Sequence, residues 1–113
     1  MLTFTPRPDG PETEEADGIA WLRETLERLA PERGMPTGSS WQIQAGVREA
    51  GVGAAGPRLR QTGYQITAAD AAGRTYGVTC FVSIEDAAEE ELRPAVEEVL
   101  GLWLDRLSVV ALG

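Results

Sequence analysis

Apolar residues in this chain recur with two different periods, and each period names an element. Ile19, Leu22, Leu26, Leu29 and Ala30 lie three and four apart, the spacing of a helix that turns one stripe toward a core. Pro11 suits a first helical turn, and Glu12, Glu14 and Glu15 follow at the positive end of the helix dipole. Gly18 weakens that start by roughly 1 kcal/mol relative to Ala, so the helix is expected to consolidate near Asp17. Pro31, Gly34 and Pro36 end it.

From Trp41 the period drops to two. Trp41, Ile43, Ala45 and Val47 share one face, and Gln42, Gln44 and Gly46 share the other, as in a half-buried strand. Ser39-Ser40-Trp41-Gln42 also fits a helical capping box, so residues 39–50 carry two signals. The strand is the better reading, because Gly46 and Gly51 make a poor helix interior. Tyr64, Ile66 and Ala68 alternate in the same way. After the turn-forming Asp70-Ala71-Ala72-Gly73 the alternation resumes through Tyr76, Val78, Cys80, Val82 and Ile84, a β-hairpin pattern with Phe81 on the opposite face.

The C-terminal segment returns to the helical period. Acids at Glu85, Asp86 and Glu89–Glu91 open it. Pro94 either follows a short first helix or sits in the first turn of the main one. Val96, Val99, Leu100, Trp103 and Leu107 form one apolar arc, with Leu92 on its extension and Glu98 and Asp105 opposite. The expected fold is therefore α+β: an N-terminal helix, a three-stranded antiparallel sheet and a C-terminal helix (αβββα), with both helices on one face. Residues 1–10 hold Pro6, Pro8 and Gly10 without periodicity and read as a loose arm; residues 11–113 read as one domain.

Composition narrows the chemistry. Among 113 residues there is no His, no Lys and no Asn, and Cys80 is the only cysteine. That removes Ser-His-Asp and Cys-His arrangements, the Walker and Schiff-base lysines, His-containing zinc sites and any internal disulfide. Ten arginines with no lysine also fit a GC-rich genome, so a bacterial or phage origin is expected. No catalytic residues, cofactor or metal ligands are expected. Glu89–Glu91 and Glu97–Glu98 diverge around a helix and read as a solvated face. Cys80, on the apolar face of a strand, reads as a packing thiol.

The net charge of −8 is concentrated at the ends. Residues 1–32 carry eight acids against three arginines, residues 85–113 eight against two, and residues 33–84 two against five. Such ends disfavour nucleic acid and anionic membranes. No segment approaches the roughly 18 apolar residues of a membrane span, no secretory signal is visible, and the unpaired thiol fits a cytoplasmic location.

Gly51-Val52-Gly53-Ala54-Ala55-Gly56 matches the dinucleotide pattern G-x-G-x-x-G. However, a hairpin and not a helix follows it, so the context that chemistry requires is missing. With Arg48, Arg58 and Arg60 nearby, the loop remains a candidate site for a small anionic group. Three apolar features fall outside the expected core: Trp21, Leu102 and the tail containing Val109, Val110 and Leu112. Together they suggest a protein interface. The function expected from the sequence is a small acidic, non-enzymatic protein that binds another protein, with a second copy of itself as one candidate. It would act as an adaptor, assembly factor, chaperone or inhibitor. A structural component of a larger assembly, or an anion binder at the Gly/Arg loop, is the alternative. Architecture alone does not decide between them.

Overall fold

The computed structural model describes the backbone of residues 2–6, 13–51 and 58–112, and side chains within 3–6, 16–49 and 60–110. The class is α+β, with seven elements in the order β1 (Leu2–Pro6), α1 (Thr13–Glu32), β2 (Ser40–Gly51), β3 (Arg58–Ala69), β4 (Cys80–Ser83), α2 (Ile84–Ala88) and α3 (Arg93–Leu112). The strands form one antiparallel sheet in the order β1-β2-β3-β4.

Two sequence expectations need correction here. The sheet has four strands and not three, because Leu2–Pro6, expected in a loose arm, pairs with Gly46–Ala50 along the free edge of β2. Pro6 is tolerated there because an edge strand leaves one row of N–H groups without a ladder partner. The second correction concerns the Gly-rich connection. The β2–β3 ladder runs from Ser40↔Ala69 to Gly51↔Arg58, so β3 begins six residues before Tyr64, where the alternation starts in the sequence. Residues 52–57 of the proposed anion loop lie outside the described residues.

Residues 39–50 are strand from Ser40 onward, and the alternation places Trp41, Ile43 and Ala45 in the core. Across the sheet, Ile66 pairs with Cys80 and Tyr64 with Val82, and all four are buried. The hairpin turn is organised by Asp70. Its Oδ1 accepts from the backbone N–H of Ala72 at 3.0 Å and of Arg74 at 2.9 Å, and Arg74 Nε donates to Oδ2 at 3.1 Å. Those backbone donors, with the Arg74 charge, hold the Asp70 carboxyl below its ordinary range. Gly73 takes the positive φ of 84° that the turn requires.

Helix α1 ends in a Schellman motif. Gly34 sits at φ 78°, the Met35 N–H bonds Ala30 O at 3.0 Å and the Gly34 N–H bonds Pro31 O at 3.3 Å. Chain departure from β4 is set by Ser83, whose Oγ accepts from the Asp86 N–H at 3.3 Å and caps α2. The strand therefore stops before Ile84. Both readings of Pro94 hold, since α2 precedes it and Pro94 lies in the first turn of α3.

Helices α1 and α3 lie side by side on one face of the sheet, running the same way. Arg28 pairs with Glu97, and Arg33 Nη1 reaches Asp105 Oδ2 at 2.9 Å, crossing α3 at the side-chain-free Gly101. Beneath them Leu22, Leu26, Tyr64, Ile66, Leu100, Leu104 and Leu107 are fully buried. Trp41 and Trp103 close one end of the core with ring centroids 6.1 Å apart, and Trp103 Nε1 donates to Val78 O at 3.2 Å.

Candidate protein interface

Helix α3 is apolar on two separate arcs. Its inner arc, Val96, Leu100, Trp103, Leu104 and Leu107, is buried in the core. At 100° per residue a second stripe lies roughly 120° round the helix: Leu92, Ala95, Val99, Leu102 and Val109, interrupted by Arg106. This stripe is open to solvent. Leu92 is 36% exposed, Val99 51%, Leu102 62%, Val109 70% and the adjoining Val110 56%. These five are the exposed large apolar residues of the described chain. Scattered exposed apolar side chains are ordinary, whereas these five fall on one side of α3 and of the residue before it, which makes that side the candidate interface.

At its N-terminal end the stripe runs into an apolar cavity of about 140 Å³ between α3 and the β4–α2 corner. Leu92, Ala95, Val96 and Val99 line one wall, with Phe81, Val82 and Asp86 on the other. The surface therefore lies on the flank of α3 away from α1, beside the edge strand β4.

The residues expected at an interface divide between two places. Leu102, Val109 and Val110 belong to the exposed stripe; the side chain of Leu112 lies outside the described residues. Trp21 belongs elsewhere. It is half-buried against the core at the α1 flank, and the Arg93 guanidinium lies 4.6 Å from its ring centroid. Arg93 Nε also donates to Ala87 O at 3.0 Å, which fixes that cover to α2. Val99 and Leu92 were expected in the core and stand on its outside. The missed signal was the alternating three-four spacing from Leu92 through Ala95, Val99 and Leu102 to Val109, a second apolar period beside the core stripe.

Arg48 and Arg60 of the candidate anion site lie on opposite faces of the sheet. Arg48 lies on the sheet face opposite the helices, bonded to Gln61 and stacked 4.1 Å from the centroid of Phe81. Arg60 pairs with Glu49 at 3.7 Å, and both lie one residue along the ladder from the Arg48–Gln61 pair, so alternation places Arg60 on the other face. The Arg58 side chain lies outside the described residues. Arg60 also lines an open groove with Thr62, Ser83 and Glu85, whose carboxylate sets a like charge against any bound anion.

The sheet face away from the helices holds an aromatic pair. Gly46 and Gly63 face each other in the β2–β3 register, and the Phe4 ring lies over the first and Phe81 over the second. The rings meet edge to face with centroids 6.3 Å apart, filling the space that two missing side chains leave.

Burial pushes the Cys80 thiol up to about 11, so it is protonated at neutral pH and a poor nucleophile. Among the described residues, no three His, Cys, Asp or Glu side chains are grouped to hold a metal ion, and no helix is long and apolar enough to cross a membrane.

No protein-family model, curated protein or solved structure matches this chain.

Proposed function

We propose that this chain is a small non-enzymatic protein-binding protein of a bacterium or phage, and that it binds through the outward stripe of α3. The observation that carries the reading is the alignment of Leu92, Val99, Leu102 and Val109 on a solvent-facing flank of a helix whose core contacts are already complete. The depleted catalytic repertoire, with no His or Lys and a buried protonated thiol, supports a binding role over a chemical one. Acidic helices around the stripe favour solubility and repel nucleic acid. Adaptor, assembly factor, chaperone and inhibitor are all roles such a surface serves, and a structural part of a larger assembly is the nearest variant.

The test is cross-linking from the stripe itself. A photo-reactive side chain at position 102 is expected to give a discrete protein adduct, and the Val99→Glu change is expected to abolish it without altering the circular dichroism. A chain that forms no adduct from position 102, with itself or any other protein, contradicts the reading.

A further inference from the structure

One charge interrupts the apolar stripe of α3. Leu92, Ala95, Val99, Leu102, Arg106 and Val109 alternate three and four apart, the seam spacing of paired helices. Arg106 is the single cation in that seam. It is exposed and has no ion pair or hydrogen bond among the described residues. Along one margin of the seam stand Glu91, Glu98 and Asp105. Asp105 is held by Arg33 at 2.9 Å; Glu91 and Glu98 are exposed with no such partner among the described residues.

We propose that the occupant is a second copy of this chain, docked through antiparallel pairing of the two α3 helices. The inference rests on the protein-binding reading and gives its partner. Parallel pairing would set Arg106 against its own symmetry mate, a like-charge contact in an apolar seam. Antiparallel pairing about a two-fold axis between Leu100 and Gly101 does the reverse. Val99 then lies level with the second copy's Leu102, Leu92 with its Val109, and Arg106 with its Ala95. Alanine is small enough to admit the arginine stem, and Glu91 and Glu98 lie four residues before and three after it, about one turn to either side. Each copy thus supplies both the cation and the acids, twice over by symmetry. The same axis brings the second copy's Val109 and Val110 level with the mouth of the 140 Å³ cavity beside Phe81 and Val82. Two packed 20-residue helices, each about 30 Å long, cover less than the roughly 800 Å² per partner of a standard interface. The dimer is therefore concentration-dependent. At about 0.15 M salt the screening length of roughly 8 Å confines repulsion between two chains of charge −8 to close range.

Sedimentation equilibrium of the intact chain at that salt, from low micromolar to several hundred micromolar, tests this. The weight-average mass is expected to rise from 12.1 kDa toward twice that value. Leu102→Glu is expected to hold it at the monomer with unchanged circular dichroism. Val109→Glu, near the end of the helix, serves the same purpose if the first variant folds poorly. Arg106→Glu is expected to weaken association about tenfold, a change of 1.4 kcal/mol. Adding Glu98→Arg restores it, because only the antiparallel register puts those two positions together. A monomer throughout, or a dimer indifferent to both glutamate substitutions in the seam, overturns the proposal. A double variant no tighter than Arg106→Glu overturns the register. A wild-type monomer that still cross-links a different protein from position 102 removes the second copy as partner while leaving the protein-binding reading standing. Neither self-association nor any adduct removes both.

Discussion

Helices α1 and α3 have the same length and lie parallel on the same sheet face, yet they present opposite surfaces to water. The outward positions of α1 carry Glu24, Glu27, Arg28 and Glu32, all exposed. The outward flank of α3 carries Val99, Leu102 and Val109, also exposed. Packing on the sheet explains the inner stripes of both helices and neither outer one. A charged outer face is what solubility alone requires. An apolar outer face lowers solubility, and on the proposed reading a contact with another chain covers it.

Among substitutions in these two helices, the largest effect belongs inside. Leu100→Ala removes a fully buried side chain from the inner stripe of α3 and is expected to cost about 3 kcal/mol, within the usual range for such cavities. Chemical denaturation measures it. A loss below 1 kcal/mol would mean that the inner stripe is not the core.

Gly18→Ala is expected to cost about 1–3 kcal/mol, against the direction that helix propensity alone gives. Gly18 is buried where α1 meets the phenol of Tyr64, and a Cβ there would run into the Tyr64 ring and hydroxyl. A rise in melting temperature for this variant would show that the two elements are further apart than described.

Trp21→Ala sharpens the division between the flanks. Trp21 packs on the core under Arg93, so its loss is expected to lower stability by about 1–2 kcal/mol and to leave association through α3 untouched. Loss of association without loss of stability would move Trp21 into the interface.

An effect that shows only at alkaline pH concerns Cys80. Its thiol, raised from 9.0 to about 11 by burial, stays protonated in the folded chain while the unfolded chain ionises. The stabilisation is fully present below pH 9, shrinks as pH rises, and is exhausted by about pH 11. A thiol reagent at pH 8 is therefore expected to react at the rate of opening. Immediate modification would place Cys80 at the surface.

Much of the fold was legible because periodicity and turn chemistry agree in it. The stripe from Ile19 to Ala30, the alternation at Trp41–Val47 and the Asp70–Gly73 turn each satisfy one period and one stop signal. β1 was not legible for a physical reason. It is an edge strand of five residues that ends in Pro6, and its partners lie forty or more residues away, so no local pattern records the pairing. Gly18 illustrates a second limit: propensity reads it as a weak helix start, while the contact that needs it is with Tyr64 on another strand. In the candidate interface, Leu102 stood out because it departs from the core arc, and Val109 and Val110 because they belong to an apolar run at the end of the chain. Leu92 and Val99 did not, since a helix apolar on two neighbouring arcs reads as one broad stripe until the other elements show which side they cover.

On the proposed reading, the outward stripe of α3 serves contact with another chain and not the fold. The direct measurement is the melting temperature of the Val99→Glu/Leu102→Glu chain beside wild type, at a concentration where both are dissociated. With 51% and 62% of these side chains already in water, the account predicts a shift within the 4–8 °C expected for about 1 kcal/mol. A drop as large as that of Leu100→Ala would contradict it, because the stripe would then be part of the core.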